Sequence, residues 1–210
     1  MIAWLALLPV ARAFTAPAKA TPSTHLNAAP LDDLPGASIE FNLMNEPWDP
    51  LGFASIHELI KDSPEHFGVW PSVQWLREAE LKHCRVAMLA FVGAVAQQYW
   101  TFSGSLGGWY YQPGVNPMEA LGSAFSTNPF GMWQLLCSIW LAESTFYPEG
   151  AWIGKMERAP GDLGWNLDNK KDDPEFQLKE LKNGRLAMIG IISLSAAHFI
   201  PGSVPLIPSF

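Results

Sequence analysis

The chain is 210 residues long, enough for one domain or one helical bundle and too short for two large domains. Hydrophobic residues make up 49% and charged residues 16%, with ten tryptophans, which excludes a disordered chain and a highly charged cytosolic surface. A net charge of −7 argues against a nucleic-acid partner, and the two cysteines, Cys84 and Cys137, read as buried free thiols that supply neither a disulfide framework nor a CxxC metal site.

Residues 1–13, MIAWLALLPVARA, form a short apolar stretch that ends in the small-x-small pattern Ala11-Arg12-Ala13. This pattern predicts a signal peptide, too short to span a bilayer. Residues 14–35 follow as a segment rich in Ala, Thr, Ser and Pro, and no Asp or Glu occurs before Asp32. An apolar leader followed by an acid-free, hydroxyl-rich segment predicts two-step import, with a transit peptide over 14–35. The junction Ala13-Phe14-Thr15-Ala16-Pro17 resembles that of plastid preproteins in algae whose plastid came from a red alga. The mature protein is expected to begin between Ala29 and Glu40, with one domain over 36–205.

Three hydrophobic stretches follow, at about 74–100, 130–147 and 175–200. Each is near the roughly 20 residues, about 30 Å as a helix, that match a bilayer's hydrocarbon core. Trp70, Trp75, Trp100, Trp109, Trp152 and Trp165 lie at or beyond their ends, as in aromatic belts. Gly- and Pro-rich connectors separate them. The expected fold is an all-α membrane protein of three transmembrane helices. His57 and His66 fall in the polar lead-in and read as solvated surface.

Hydropathy alone scores the first and third stretches poorly, because both carry internal charges. The first holds Glu80, Lys82, His83 and Arg85; the third holds Lys179, Glu180, Lys182 and Arg185. A lone ionised group in lipid costs several kcal/mol, so such residues persist only when paired, liganded or near the interface.

Those charges belong to an internal repeat. Glu80-Leu-Lys-His-Cys-Arg-Val-Ala-Met88 aligns with Glu180-Leu-Lys-Asn-Gly-Arg-Leu-Ala-Met188, with six of nine positions identical at an offset of 100. A weaker pair of lead-ins, Glu46–Gly52 and Pro160–Asn166, also matches. A repeated helix predicts crossed first and third helices related by a pseudo-two-fold axis. Glu80 and Arg85 lie about 140° apart on one helix, at ~100° per residue, and pair poorly with each other. Crossing pairs Glu80 with Arg185 and Glu180 with Arg85, cancelling four charges. Close crossing needs small residues, offered by Ala87, Ala90 and Ala94 on one side and Gly184, Ala187 and Gly190 on the other.

After that pairing each glutamate keeps a free oxygen, and each repeat has a second Lewis base three residues on, His83 or Asn183. Such donors suit the open axial position of a Mg²⁺ ion whose other ligands come from a macrocycle. A carboxylate balanced by arginine is a neutral ligand unit, suited to an apolar site.

ExxHxRxAM in the first helix and ExxNGRLAM in the third resemble the signature of chlorophyll-binding light-harvesting antenna proteins, over about residues 43–200. The resemblance implies that Glu80, His83, Glu180 and Asn183 ligate chlorophyll magnesium, and that Arg85 and Arg185 form the crossed pairs. It implies that Lys179 and Lys182 lie near pigment or lipid headgroups, and that the WDPLG and PGDLGW lead-ins flank carotenoid. The family often has Gln fourteen residues after the Asn, where this chain has Ala197; neighbouring His198 is a substitute ligand or an interfacial histidine. In the middle helix Gln134 and Glu143 are nine apart and face opposite sides, as ligands of different chlorophylls or as a helix–helix contact and a surface group. The leader and the C-terminal segment resemble the chlorophyll a/c branch, which implies chlorophyll a, chlorophyll c and fucoxanthin or a relative.

The implied function is light harvesting, without catalysis, in a multi-pass plastid thylakoid protein. Its implied partners are a photosystem I or II core, other antenna subunits and thylakoid lipids. A photoprotective quencher of the same family is the alternative. A membrane di-iron enzyme, suggested by ExxH, is remote because the second copy is ExxN and the arginines compete for the carboxylates.

Overall fold

A computed structural model of the chain describes residues 34–36, 49, 51–60, 69–100, 105–106, 109–110, 116–164 and 173–204. The signal peptide, almost all of the transit segment, His66 and Trp165 lie outside the described residues. What is described is mostly helical. Helix α1 spans Phe53–Ile60, and α2 spans Val73–Tyr99. A two-residue hairpin follows, with β1 at Ser105–Leu106 antiparallel to β2 at Trp109–Tyr110. Then come α3 over Pro117–Thr127, α4 over Pro129–Thr145, a 3-10 turn at Ala151–Ile153, and α5 over Pro174–Phe199.

The three hydrophobic stretches thus fold as α2, α4 and α5. Helices α1 and α3 and the hairpin lie outside these stretches and are not expected from hydropathy. Three helices begin in the same way: Asn116, Asn128 and Asp173 accept a backbone N–H of the first turn, and each is followed by proline. Proline lacks the donor that a first turn leaves unpaired, and its fixed φ suits that position. Asp49 caps α1 by accepting from the amides of Phe53 (3.0 Å) and Ala54 (2.9 Å). Ser72 caps α2 and also fastens it to the 3-10 turn, accepting from Trp75 N, donating through Oγ to Ala151 O and through its amide to Trp152 O. Trp75 and Trp152 pack edge to face across that junction.

Helices α2 and α5 pack on each other through Leu81, Cys84 and Leu181, with Met188 alongside. Cys84 is fully buried, and a Cβ built on Gly184 would fall on its Cβ and Sγ. Positions 84 and 184 correspond in the repeat, so the helices touch most closely at its symmetric point. The small residues named from sequence take lesser parts. Ala87 and Ala94 are buried, Ala90 and Ala187 are half-buried, and Gly190 packs against the Phe91 ring. The C-terminal turns of both helices line one cavity together with the start of α3 (Ala94, Gln98, Met118, Ile191, Ser195), so the two helices run in the same sense.

No helix among the described residues is long and apolar enough to cross a membrane. The physical reason differs by helix: α2 and α5 carry the charges of the repeat, and α4 has 17 residues. Helix α4 buries none of its residues, and its aromatic and aliphatic side chains are exposed around its circumference, Phe130 at 73% and Trp140 at 71%. The outward faces of α2 and α5 are also apolar at corresponding positions: Val86 and Leu186, Leu89 and Ile189, Val92 and Ile192.

Candidate functional site

The charged residues of the repeat meet where α2 and α5 pack together. Arg85 donates from Nε to Glu180 Oε1 at 2.6 Å and from a terminal nitrogen to Gly161 O at 2.8 Å. Arg185 donates from Nε and a terminal nitrogen to Glu80 Oε1, both at 2.8 Å, and from its other terminal nitrogen to Gly36 O at 3.1 Å. The contacts are reciprocal: residue i of one repeat meets residue j of the other, and j meets i, which is the mark of a local two-fold axis. The carbonyls extend that symmetry beyond the helices. Gly36 and Gly161 each follow a proline and each have positive φ, 86° and 79°. A Cβ on Gly36 would press on Leu181 and Arg185, and one on Gly161 on Leu81 and Arg85. Glycine is needed here because the backbone turns left-handed against a packed helix. The counterpart of Pro160–Gly161 in these contacts is Pro35–Gly36; the 46–52 lead-in lies mostly outside the described residues.

The symmetry breaks at the second carboxylate oxygens. Glu180 Oε2 has no partner among the described residues. Glu80 Oε2, which the sequence reading took as free, accepts from Arg77 at 2.7 Å. Arg77 also donates to the Pro35 carbonyl. A second buried acid, Glu78, is 2% exposed. It accepts from Arg158 at 2.8 Å and from the Gly161 amide at 2.5 Å, holding the 160–164 loop against α2. Neither Arg77 nor Glu78 belongs to the repeat, so the motif does not point to them. Arg77 stands three residues before Glu80 on the same helical face, and that spacing was the available signal.

His83 and Asn183 are exposed, on the outward faces, and each makes the same local bond. His83 Nδ1 lies 2.7 Å from Ala79 O, and Asn183 Nδ2 donates to Lys179 O at 2.9 Å. A carbonyl can only accept, so His83 Nδ1 carries the proton and Nε2 is left as a lone-pair donor. The Asn183 amide is oriented in the same way, with Oδ1 left over. One turn further along, Val86 and Leu186 continue the apolar faces from which these two Lewis bases emerge.

On α4, Glu143 Oε2 accepts from Lys82 of α2 at 2.6 Å. This third carboxylate is thus also balanced by a cation from another helix. Gln134 is exposed on the same helix. His198 is half-buried at the end of α5, its ring 4.9 Å from Phe199. Lys179 is exposed and pairs within its own helix with Glu175 at 2.6 Å. His57 corrects the solvated-surface reading: it is 9% exposed, and Nδ1 lies 2.9 Å from Trp70 O. Among the described residues no three His, Cys, Asp or Glu side chains converge on one point. The donors described are separate from one another, and the carboxylates among them are paired with cations.

The family model described as chlorophyll A-B binding protein matches residues 31–199. A fucoxanthin-chlorophyll a-c binding protein from Isochrysis galbana is 33% identical over 94% of this chain and 93% of that protein. Another from Chattonella marina var. antiqua is 32% identical over 74% of this chain and 65% of that protein. A light-harvesting complex stress-related protein 1 from Chlamydomonas reinhardtii is 32% identical over 80% of this chain and 64% of that protein. The chain thus spans slightly less than two thirds of the length of the last two relatives. With the match extending over most of the sequence and including both repeats, the chain belongs to the chlorophyll A-B binding protein family.

Proposed function

We propose that the protein is a light-harvesting antenna of the fucoxanthin-chlorophyll type. It holds chlorophyll a, chlorophyll c and a carotenoid of the fucoxanthin class in a plastid thylakoid membrane, beside a photosystem core and other antenna subunits. The observation that carries this reading is the matched pair His83 and Asn183. Each spends its proton donor on the carbonyl four residues back and leaves a Lewis base on an apolar face. Glu180 offers Oε2 in the same way, while Arg85 cancels its charge.

Bound chlorophyll and carotenoid supply the light absorption and the dipole coupling through which excitation moves. The chain's own residues hold and orient. His83, Asn183, Glu80 and Glu180 on α2 and α5 would hold chlorophyll magnesium, as would Gln134 and Glu143 on α4 and His198 at the end of α5. Arg85 and Arg185 stand as counter-charges to Glu180 and Glu80. No proton is transferred and no nucleophile is required.

A three-span membrane topology is part of this proposal. Helix α2 has 27 residues and α5 has 26, about 40 Å each at ~1.5 Å per residue. Their charged segments are the paired ones. A helix that is apolar all round and exposed, as α4 is, needs lipid or pigment as its surroundings. The bonds from Arg77 and Arg185 to the Pro35 and Gly36 carbonyls support a mature chain that keeps these two residues.

The test is pigment analysis of the native complex together with its absorption spectrum. Red Qy bands with chlorophyll c and an oxygenated carotenoid in the extract support the reading; a colourless membrane protein rejects it. The stress-related relative favours quenching as a second reading. Fluorescence lifetimes distinguish the two, since a harvester keeps the lifetime long and a quencher shortens it.

A further inference from the structure

The two halves of the α2–α5 pair match in their arginines, carbonyls, leucines and outward Lewis bases. Charge is where they differ. Glu80 is held by two guanidiniums, Arg185 on Oε1 and Arg77 on Oε2. Glu180 is held by one, Arg85 on Oε1. The position equivalent to Arg77 in the second repeat is Gln177. One cluster therefore carries a unit of positive charge and the other is neutral.

We propose that Arg77 makes the two repeat-related glutamate sites unequal: by holding the second oxygen of Glu80 it weakens that carboxylate as an axial magnesium ligand, and Glu180 becomes the stronger site. This inference rests on the proposed pigment-ligand function. Its physical basis is the competition for oxygen lone pairs. An N–H donor from a cation withdraws electron density from the oxygen it meets, and charge-assisted bonds of this kind are about twice as strong as neutral ones. Groups behind a metal ligand tune its donor strength in the same manner. Arg77 is well placed to act steadily, since it is 9% exposed and anchored by the Pro35 carbonyl. It touches the glutamate and not the pigment, so it is a positioning residue.

The test uses the full chain reconstituted with chlorophyll and carotenoid, and follows stepwise loss of Qy bands on detergent titration. Glu80→Leu and Glu180→Leu first assign the two bands by difference. In the unsubstituted protein the Glu80-dependent pigment is expected to leave first, with a dissociation constant on the order of tenfold higher, the weight of one charge-assisted bond. Arg77→Gln is expected to bring the two pigments to similar retention and to shift the Glu80-dependent band alone. Arg77→Lys keeps the charge and keeps the inequality. Gln177→Arg transplants the device and is expected to weaken the Glu180-dependent pigment, which keeps the idea testable should Arg77→Gln fail to fold. A merely structural role for Arg77 would lower the thermal stability of the whole complex without changing the order of loss, and that result overturns the inference. If Glu80→Leu and Glu180→Leu lose no pigment, the ligand reading falls and this inference with it.

Discussion

Adding a single carbon at the α2–α5 contact tests the architecture most directly. The Cβ introduced by Gly184→Ala would fall on Cys84 Cβ and Sγ and sit 3.0 Å from Cys84 Cα. A backbone atom cannot turn aside, so the helices must separate. Overpacking of this kind costs about 1–3 kcal/mol, against which alanine regains roughly 1 kcal/mol of helix propensity. The crossed pairs, at 2.6 and 2.8 Å, span the same contact and stretch with it. A net loss of about 1 kcal/mol corresponds to a fall in Tm of about 2–4 °C for a domain this size. The assay is thermal loss of visible circular dichroism in reconstituted complexes. Because the contact is reciprocal, the exchange Cys84→Gly with Gly184→Cys should recover most of the stability lost by Gly184→Cys alone. An unchanged Tm for Gly184→Ala, or an exchange no better than the single change, refutes the reasoning.

Three further outcomes are expected. Arg185→Leu leaves Glu80 with Arg77 alone and unties Gly36; the charged hydrogen bonds lost from this part-buried pair are each worth roughly 1.5–3 kcal/mol, so reconstitution yield should fall, and normal pigment content would contradict the pairing. His83→Leu should lose one chlorophyll with the helical circular dichroism intact, and Asn183→Leu likewise, as read by pigment stoichiometry; unchanged stoichiometry removes that residue from the ligand set. Glu78→Gln should weaken the bonds to Arg158 and to the Gly161 amide, each of the charged class worth roughly 1.5–3 kcal/mol; proteolysis between Met156 and Gly164 should accelerate, and an unchanged cleavage rate would mean the loop is held elsewhere.

Much of the molecule was legible in the chain alone, because the strongest signals are local. Apolar runs mark α2, α4 and α5 to within two residues of their observed limits. The repeat sets an arginine five residues after each glutamate, a spacing that turns the two away from each other on one helix. Crossed partners are the remaining way to cancel four charges, and the structure joins Arg85 to Glu180 and Arg185 to Glu80. The exposure of His83 and Asn183 on the outward faces is a result of how the helices pack, since a three-residue spacing alone sets them on the side of Glu80 and Glu180.

What required the packed molecule is whatever depends on distant backbone. Cys84 against Gly184 is invisible in composition, because closeness of approach depends on how two helices settle. Pro35–Gly36 and Pro160–Gly161 are two-residue matches, too short to stand out until each carbonyl is seen accepting from an arginine. Burial of His57 arises from a bond to Trp70, thirteen residues away. The inequality of Glu80 and Glu180 comes from a third guanidinium that the repeat does not contain. Sequence periodicity reports which residues share a face; which oxygen on that face stays open is settled by every donor that folding brings within reach.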